Sequence, residues 1–262
     1  MFAKLLTYGL FATAALARPS PGLSGRLARR AAGSHLSNPK MPSNGPASLA
    51  NITNAEVSSN WAGAAFESPA GTYKAVTGTF VVPTPKAPSG GSGSFAASAW
   101  VGIDGDTCGT AILQTGIDFT VSGGKVSYDA WFEYFPAFAT DFTGITISAG
   151  NTIKLTATVS STTSGTVTIE NVSTGVTVSK ALTSSAKLCQ ENAEWIVEDF
   201  EEGSSLVPFA NFGTVTFSNA VATTSSGSTV GPSGAVIIDL EQNGQVLTSV
   251  STSSSAVTVS YV

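Results

Sequence analysis

Histidine, arginine and cysteine are nearly absent from this chain, and each shortage removes a class of chemistry. Its 262 residues include one histidine, His35, and two cysteines, Cys108 and Cys189; no arginine follows Arg30. Acid is missing in a different way. Nothing before Glu56 is Asp or Glu, while Lys4, Arg18, Arg26, Arg29, Arg30 and Lys40 all lie there. The stretch 56–262 holds all 17 acidic residues against six lysines (Lys74, Lys86, Lys125, Lys154, Lys180 and Lys187), a net charge of 6 − 17 = −11. If the basic stretch is removed on maturation, the working protein has neither histidine nor arginine. Ser/His/Asp and Cys/His nucleophilic catalysis and histidine-ligated zinc are then excluded. Catalysis would have to run on carboxylates, amides, hydroxyls or lysines. No 18-residue apolar stretch follows the N-terminal region, so no membrane anchor is expected.

At the N-terminus Lys4 precedes LLTYGLFATAALA, an apolar run too short to span a bilayer, which ends in Ala15-Leu16-Ala17 before Arg18-Pro19. A basic start, an apolar centre and a small-x-small exit read as a secretory signal over residues 1–17, rather than a buried helix, and hence as an extracellular protein. Residues 18–54 carry five basic residues, no acid, frequent Pro, Gly and Ser, and few large apolar side chains, which argues against a core of their own. Beside a domain of −11, this +5 segment reads as an electrostatically held propeptide rather than a bare linker. Two cysteines in an oxidising compartment predict one structural disulfide, Cys108–Cys189. Sequons occur at Asn51 and Asn171; Asn171, read as part of a surface turn, is the better glycosylation candidate.

Residues 55–262 suffice for one sizeable domain. Sparse charge and abundant Ser, Thr, Val and Gly suit pleated sheet and suit helix poorly. Ile153, Leu155, Ala157 and Val159 alternate with Lys154, Thr156, Thr158 and Ser160, the period-2 pattern of a half-buried strand. Val167 and Ile169, then Val176 and Val178, repeat it. The stretch AVIIDLEQ-NG-QVLTSV predicts a hairpin turning on Asn243-Gly244, and Val257, Val259 and Tyr261 a last strand. The expected fold is all-β, an antiparallel two-sheet β-sandwich of the lectin-like jelly-roll kind with a concave substrate groove.

Polar residues that look out of place fall in four strips: SSNWAGAAF, containing Trp61; SAWVGIDGDTCGTAILQTGIDF, where Gln114 interrupts an apolar run; YDAWFEYFP; and NAEWIVEDFEEG. On extended strands Asp129, Trp131, Glu133 and Phe135 share one face, as do Glu194, Ile196, Glu198 and Phe200. Each strip alone reads as a structural amide, a solvated strand face or core tryptophan. Together, interleaved aromatics and carboxylates line a groove fit for a polymer, either polypeptide or polysaccharide. A glycoside hydrolase needs paired carboxyls about 5–5.5 or 6.5–9.5 Å apart. Glu194 and Glu198, about 13 Å apart on one strand, cannot form that pair, although Glu198 with a partner from another strand could. A non-catalytic lectin is a further alternative. No Asp-Thr-Gly or Asp-Ser-Gly triplet of pepsin type occurs.

WVGIDGDTCGTAILQTGIDF, YDAWFEYFP and AEWIVEDFEE closely resemble the glutamic peptidases, or eqolisins, and the resemblance extends from about Ser58 through VPFANFGTVTF to the terminal SYV. It implies a secreted acid endopeptidase in which Gln114 and Glu198 form the catalytic dyad. It also places Trp61, Trp100, Asp104, Asp118 and Glu133 as groove and supporting residues, and matches the family cystine to Cys108 and Cys189. In the mechanism so implied, ionised Glu198 activates water and Gln114 stabilises the oxyanion. A glutamate still functions at a pH where histidine would be protonated. The expected partners are polypeptide substrates and the chain's own propeptide as intramolecular inhibitor. No cofactor, metal, nucleic acid or membrane is expected, and the protein should be a monomer.

Overall fold

The structure, a computed structural model, describes residues 35–43 and 55–262. The expected signal, Arg18, Arg26, Arg29, Arg30 and the Asn51 sequon lie outside these residues. Two large sheets carry the chain, and no helix occurs among the described residues. One sheet has eight strands; its main path runs Val176–Thr183, Ser164–Asn171, Thr152–Ser161, Tyr73–Val81, Thr214–Thr224, Ala256–Tyr261 and Thr248–Thr252. The other has nine, in the order Gln245–Val246, Val236–Gln242, Trp61–Glu67, Asn192–Glu198, Ser94–Ile103, Ile112–Ser122, Lys125–Phe135 and Thr140–Asp141. Its ninth strand, Ala55–Ser58, pairs parallel to Val236–Gln242. The expected all-β sandwich is the fold observed.

Side chains from the two facing surfaces make one apolar core. Ala62, Val101, Leu113, Ile117, Trp195 and Val197 come from the nine-stranded sheet, and Phe80, Ile153, Leu155, Val167 and Phe217 from the other. The alternation read over 153–159 is real: its apolar members face this core and Lys154 and Thr158 face outward. Val176 departs from expectation and is exposed, because its strand is the edge of the eight-stranded sheet. Trp195 ties the layers together. Its Nε1 donates to Thr77 O at 2.8 Å, and its ring fills the space beside Gly78, where an added Cβ would lie 2.9 Å from Cδ1. The Asn243-Gly244 turn has φ of 54° and 75°, the left-handed pair a tight primed hairpin requires.

Strands Ser94–Ile103 and Ile112–Ser122 are buried along nearly their whole length, and no alternation marks them. Their second face is covered too, in part by the segment 35–43. The Cys108–Cys189 disulfide forms as expected, across a separation of 81 residues. Asn171 corrects one expectation. It is fully buried, and its Nδ2 donates to Thr146 O and to Asn151 Oδ1, each at 3.0 Å. A glycan on that nitrogen is incompatible with this packing.

Candidate active site

Strand pairing in the nine-stranded sheet arranges the functional side chains as rungs on its outer face. In one rung Glu194, Gly102, Gln114 and Glu133 stand side by side; in the next, Ile196, Trp100, Gly116 and Trp131; in the third, Glu198, Ser98, Asp118 and Asp129. Period-2 geometry puts all three rungs on the same face. The glycines are steric requirements. A Cβ at Gly116 would lie 2.5 Å from Trp100 Cβ and 2.8 Å from Trp131 Cζ2. Trp61 joins from the neighbouring strand, edge-on to Trp100 with ring centroids 4.9 Å apart.

Across this floor lies the segment His35–Ser43. His35–Leu36 pairs antiparallel with Glu201–Glu202. Ser37 N donates to Glu133 Oε2 at 3.2 Å, and Gln114 Nε2 donates to Ser37 O at 3.1 Å. The next amide, Asn38 N, donates to Glu198 Oε1 at 3.1 Å. Gln114 and Glu198 therefore grip the carbonyl and the nitrogen of one peptide unit. Trp61 Nε1 donates to Asn38 O at 3.0 Å, and Asn60 Nδ2 to Pro39 O at 3.2 Å and Glu198 Oε1 at 3.3 Å. Further on, Lys40 Nζ pairs with Asp106 and Glu56.

Both members of the expected dyad are fully buried. Burial pushes the Glu198 carboxyl up to about 8, despite hydrogen bonds from Trp100 Nε1, at 2.9 Å, and from Asn38 N. Burial also holds Glu133 well above the ordinary carboxylate range, and the charge of Glu198 adds to the effect. Gln114 stands opposite Glu133 across the strand pair, with Glu133 Oε1 and Gln114 Oε1 both buried. Glu194, the near-repeat of Glu198, is buried, has no hydrogen bond to either oxygen and is also raised by burial, with Asp104 and Asp106 contributing. It does not reach the gripped peptide unit.

The other expected residues divide by role. Trp61 and Trp100 face the segment and the dyad. Asp118 Oδ1 accepts from Trp131 Nε1 at 2.7 Å, and its Oδ2 lies 3.7 Å from His35 Nδ1. Asp104 is support rather than groove: its carboxylate accepts from the backbone N–H of Gln190, Glu191 and Asn192 at 2.8, 2.9 and 3.2 Å. Sequence reasoning gave no site role to Asn60, Glu56 or Asp106, and placed Phe200 only on the strand face of Glu198. Only the position of Asn60 directly before Trp61 marked it in advance. A cavity of about 680 Å3 opens nearby, among Ser59, Asp199, Val207, Phe209, Glu241 and Gln242. It excludes the dyad, because the groove above Gln114 and Glu198 is filled.

The Peptidase A4 family model matches residues 59–261. Aspergillopepsin-2 from Aspergillus niger is 50% identical over 283 aligned residues, spanning 100% of this chain and 99% of the relative. Scytalidopepsin B from Scytalidium lignicola is 45% identical and covers 81% of each chain. The crystal structure of scytalido-glutamic peptidase with a transition state analog inhibitor superposes with a TM-score of 0.71 at 45% identity, over 78% of this chain and 98% of that one. These likenesses displace the polysaccharide alternatives. A β-sandwich groove without arginine, floored by tryptophan, glutamine and glutamate, and a match along nearly all of 55–262 lead to one conclusion: the chain belongs to the Peptidase A4 family, the glutamic peptidases or eqolisins.

Proposed function

We propose that this chain is the precursor of a secreted acid endopeptidase in which Glu198 and Gln114 do the chemistry. The observation that carries the reading is the grip of both side chains on the single peptide unit Ser37–Asn38. In a substrate so placed, ionised Glu198 takes a proton from water as the oxygen attacks the carbonyl carbon. Gln114 Nε2 stabilises the oxyanion, and Glu198 then returns the proton to the leaving nitrogen. An amide does not titrate, so Gln114 keeps its role in acid. Glu133, whose carboxyl burial holds well above its ordinary range, faces Gln114 and when protonated would donate to the amide oxygen and keep Nε2 turned towards the substrate.

Residues 18–54 act as the propeptide, and 35–43 is the part that fills the groove. While it does so, water is shut out and burial holds the Glu198 carboxyl up at about 8, so attack on the bond it covers waits on the entry of water. Release depends on acid acting at Lys40. Burial raises Asp106 above its ordinary value despite the neighbouring ammonium, and Lys40, Glu56, Glu67, Glu191 and Glu194 bear on it. Protonation of Asp106 weakens its hold on Lys40, water enters the groove, and solvation returns Glu198 towards the ordinary carboxylate range.

The test is proteolysis of denatured protein at acid pH by matured variants. Gln114→Ala should lower kcat/KM by about 10²–10³-fold and Glu198→Gln by about 10²–10⁴-fold, both with native circular dichroism. Full activity in either folded variant would remove it from the dyad, and an equal loss in folded Glu194→Gln would remove the distinction between the two glutamates.

A further inference from the structure

We propose that the bond between Ser37 and Asn38 is the first one this enzyme cuts, in its own chain. The proposal rests on the dyad reading above and adds a specific substrate register to it. Of the bonds along 35–43, Ser37–Asn38 alone has its carbonyl oxygen on Gln114 and its nitrogen on Glu198. The hold on either side is continuous. Upstream, His35–Leu36 forms a separate two-stranded sheet with Glu201–Glu202, and the His35 ring packs 4.4 Å from Phe200 and 5.3 Å from Trp131. Downstream, Trp61 and Asn60 hold the carbonyls of Asn38 and Pro39. Lys40 N donates to Gly105 O at 2.9 Å, and Met41 N to Asn60 Oδ1 at 2.8 Å.

Two features lock this register. Pro39 has no N–H, so a slip that set the Asn38–Pro39 bond at the dyad would leave Glu198 without its donor. The same slip would carry Lys40 away from the carboxylates of Asp106 and Glu56, which with Glu67 converge at the downstream end of the groove. Hydrolysis adds one water. Its oxygen bonds to the Ser37 carbonyl carbon, the C–N bond breaks, and Glu198 relays a proton to the Asn38 nitrogen. The products are a Ser37 carboxyl and an Asn38 amine. The same contacts define the preferred substrate class: peptides with a lysine three residues beyond the cut and no proline directly after it.

The experiment acidifies purified full-length precursor and follows intact mass and N-terminal sequence over time, beside a Glu198→Gln precursor. A chain beginning at Asn38 should appear first, at a rate independent of protein concentration, and only in the wild type. A synthetic peptide of residues 33–43, given to matured enzyme, should be cut between Ser37 and Asn38. Its Lys40→Gln version should show a KM about tenfold higher. Replacing Asn38 by proline in the same peptide should abolish that cut, a result independent of precursor folding. If the wild type digests denatured protein but its first intermediate begins elsewhere, or the peptide is cut at another bond, the register proposal is overturned while the dyad stands. If matured enzyme digests no protein at all, the dyad reading itself fails. A chain beginning at Asn38 in the Glu198→Gln precursor would assign the cut to another protease and overturn self-cleavage.

Discussion

Gly116 shows how single residues set this site. Its missing side chain is where Trp100 and Trp131 meet, and Trp100 in turn donates to Glu198. Gly116→Ala has no room to be accommodated: Ala99 O at 2.7 Å is backbone, and both tryptophans are fully buried. Overpacking there should destabilise the fold by about 1–3 kcal/mol and lower kcat/KM by displacing Trp100. Thermal melts and kinetics on the same sample check it, and an unchanged kcat/KM would show that Trp100 does not position Glu198. Composition alone did not mark Gln114 and Glu198. Gln114 looked like a structural amide and Glu198 like its neighbour Glu194, until motif resemblance separated them. Asp106 stayed hidden because its role depends on Lys40, far away in sequence.

At the level of elements, the strand Asn192–Glu198 is anchored before it begins. Asp104, with φ of 71°, presents its carboxylate to three consecutive amides, and Cys189 fixes the same stretch to Cys108. Burial raises the pKa of Asp104, and the amide hydrogen bonds oppose that shift. Asp104→Ala leaves those N–H groups, of which that of Asn192 is buried, without their acceptor and should cost about 2–3 kcal/mol, read as a shift in denaturant midpoint at constant slope. A change below measurement error would mean that the disulfide alone holds the strand entry. Strands with one solvated face, such as Thr152–Ser161, were legible because alternation survives wherever water meets one side. The central pair, Ser94–Ile103 and Ile112–Ser122, gave no such pattern, since burial on both faces removes the contrast that a period-2 reading needs. The burial of Asn171 was missed for another reason: it falls on the buried parity of a plainly alternating strand, Ser164–Asn171, while its turn-like sequence suggested exposure.

For the whole molecule, an acidic domain with deeply buried carboxyls should be most stable in acid. Glu133 and Glu194 lie well above their ordinary range, Glu198 near 8 and Asp239 near 6, all chiefly through burial. Each folded-state pKa exceeds the unfolded one. The stability these groups contribute is therefore complete below about pH 4 and is lost as pH rises through the folded values. The precursor's Tm should fall between pH 4 and pH 8, and Glu194→Gln should flatten the fall without lowering Tm in acid. A Tm that is level or rises over that range would contradict the assignment. The rungs described above carry a last consequence, for how such enzymes can diverge. Gln114 and Glu198 stand on different strands, each hydrogen-bonded to Ser94–Ile103, so their separation is fixed by the repeat of the sheet itself. Turns such as Gly123-Gly124, where an added Cβ would meet nothing within 4 Å, lie outside that repeat. Drift in length and composition can accumulate there while the reaction geometry is inherited unchanged, as a measure is kept by a ruler whose ends are free to wear.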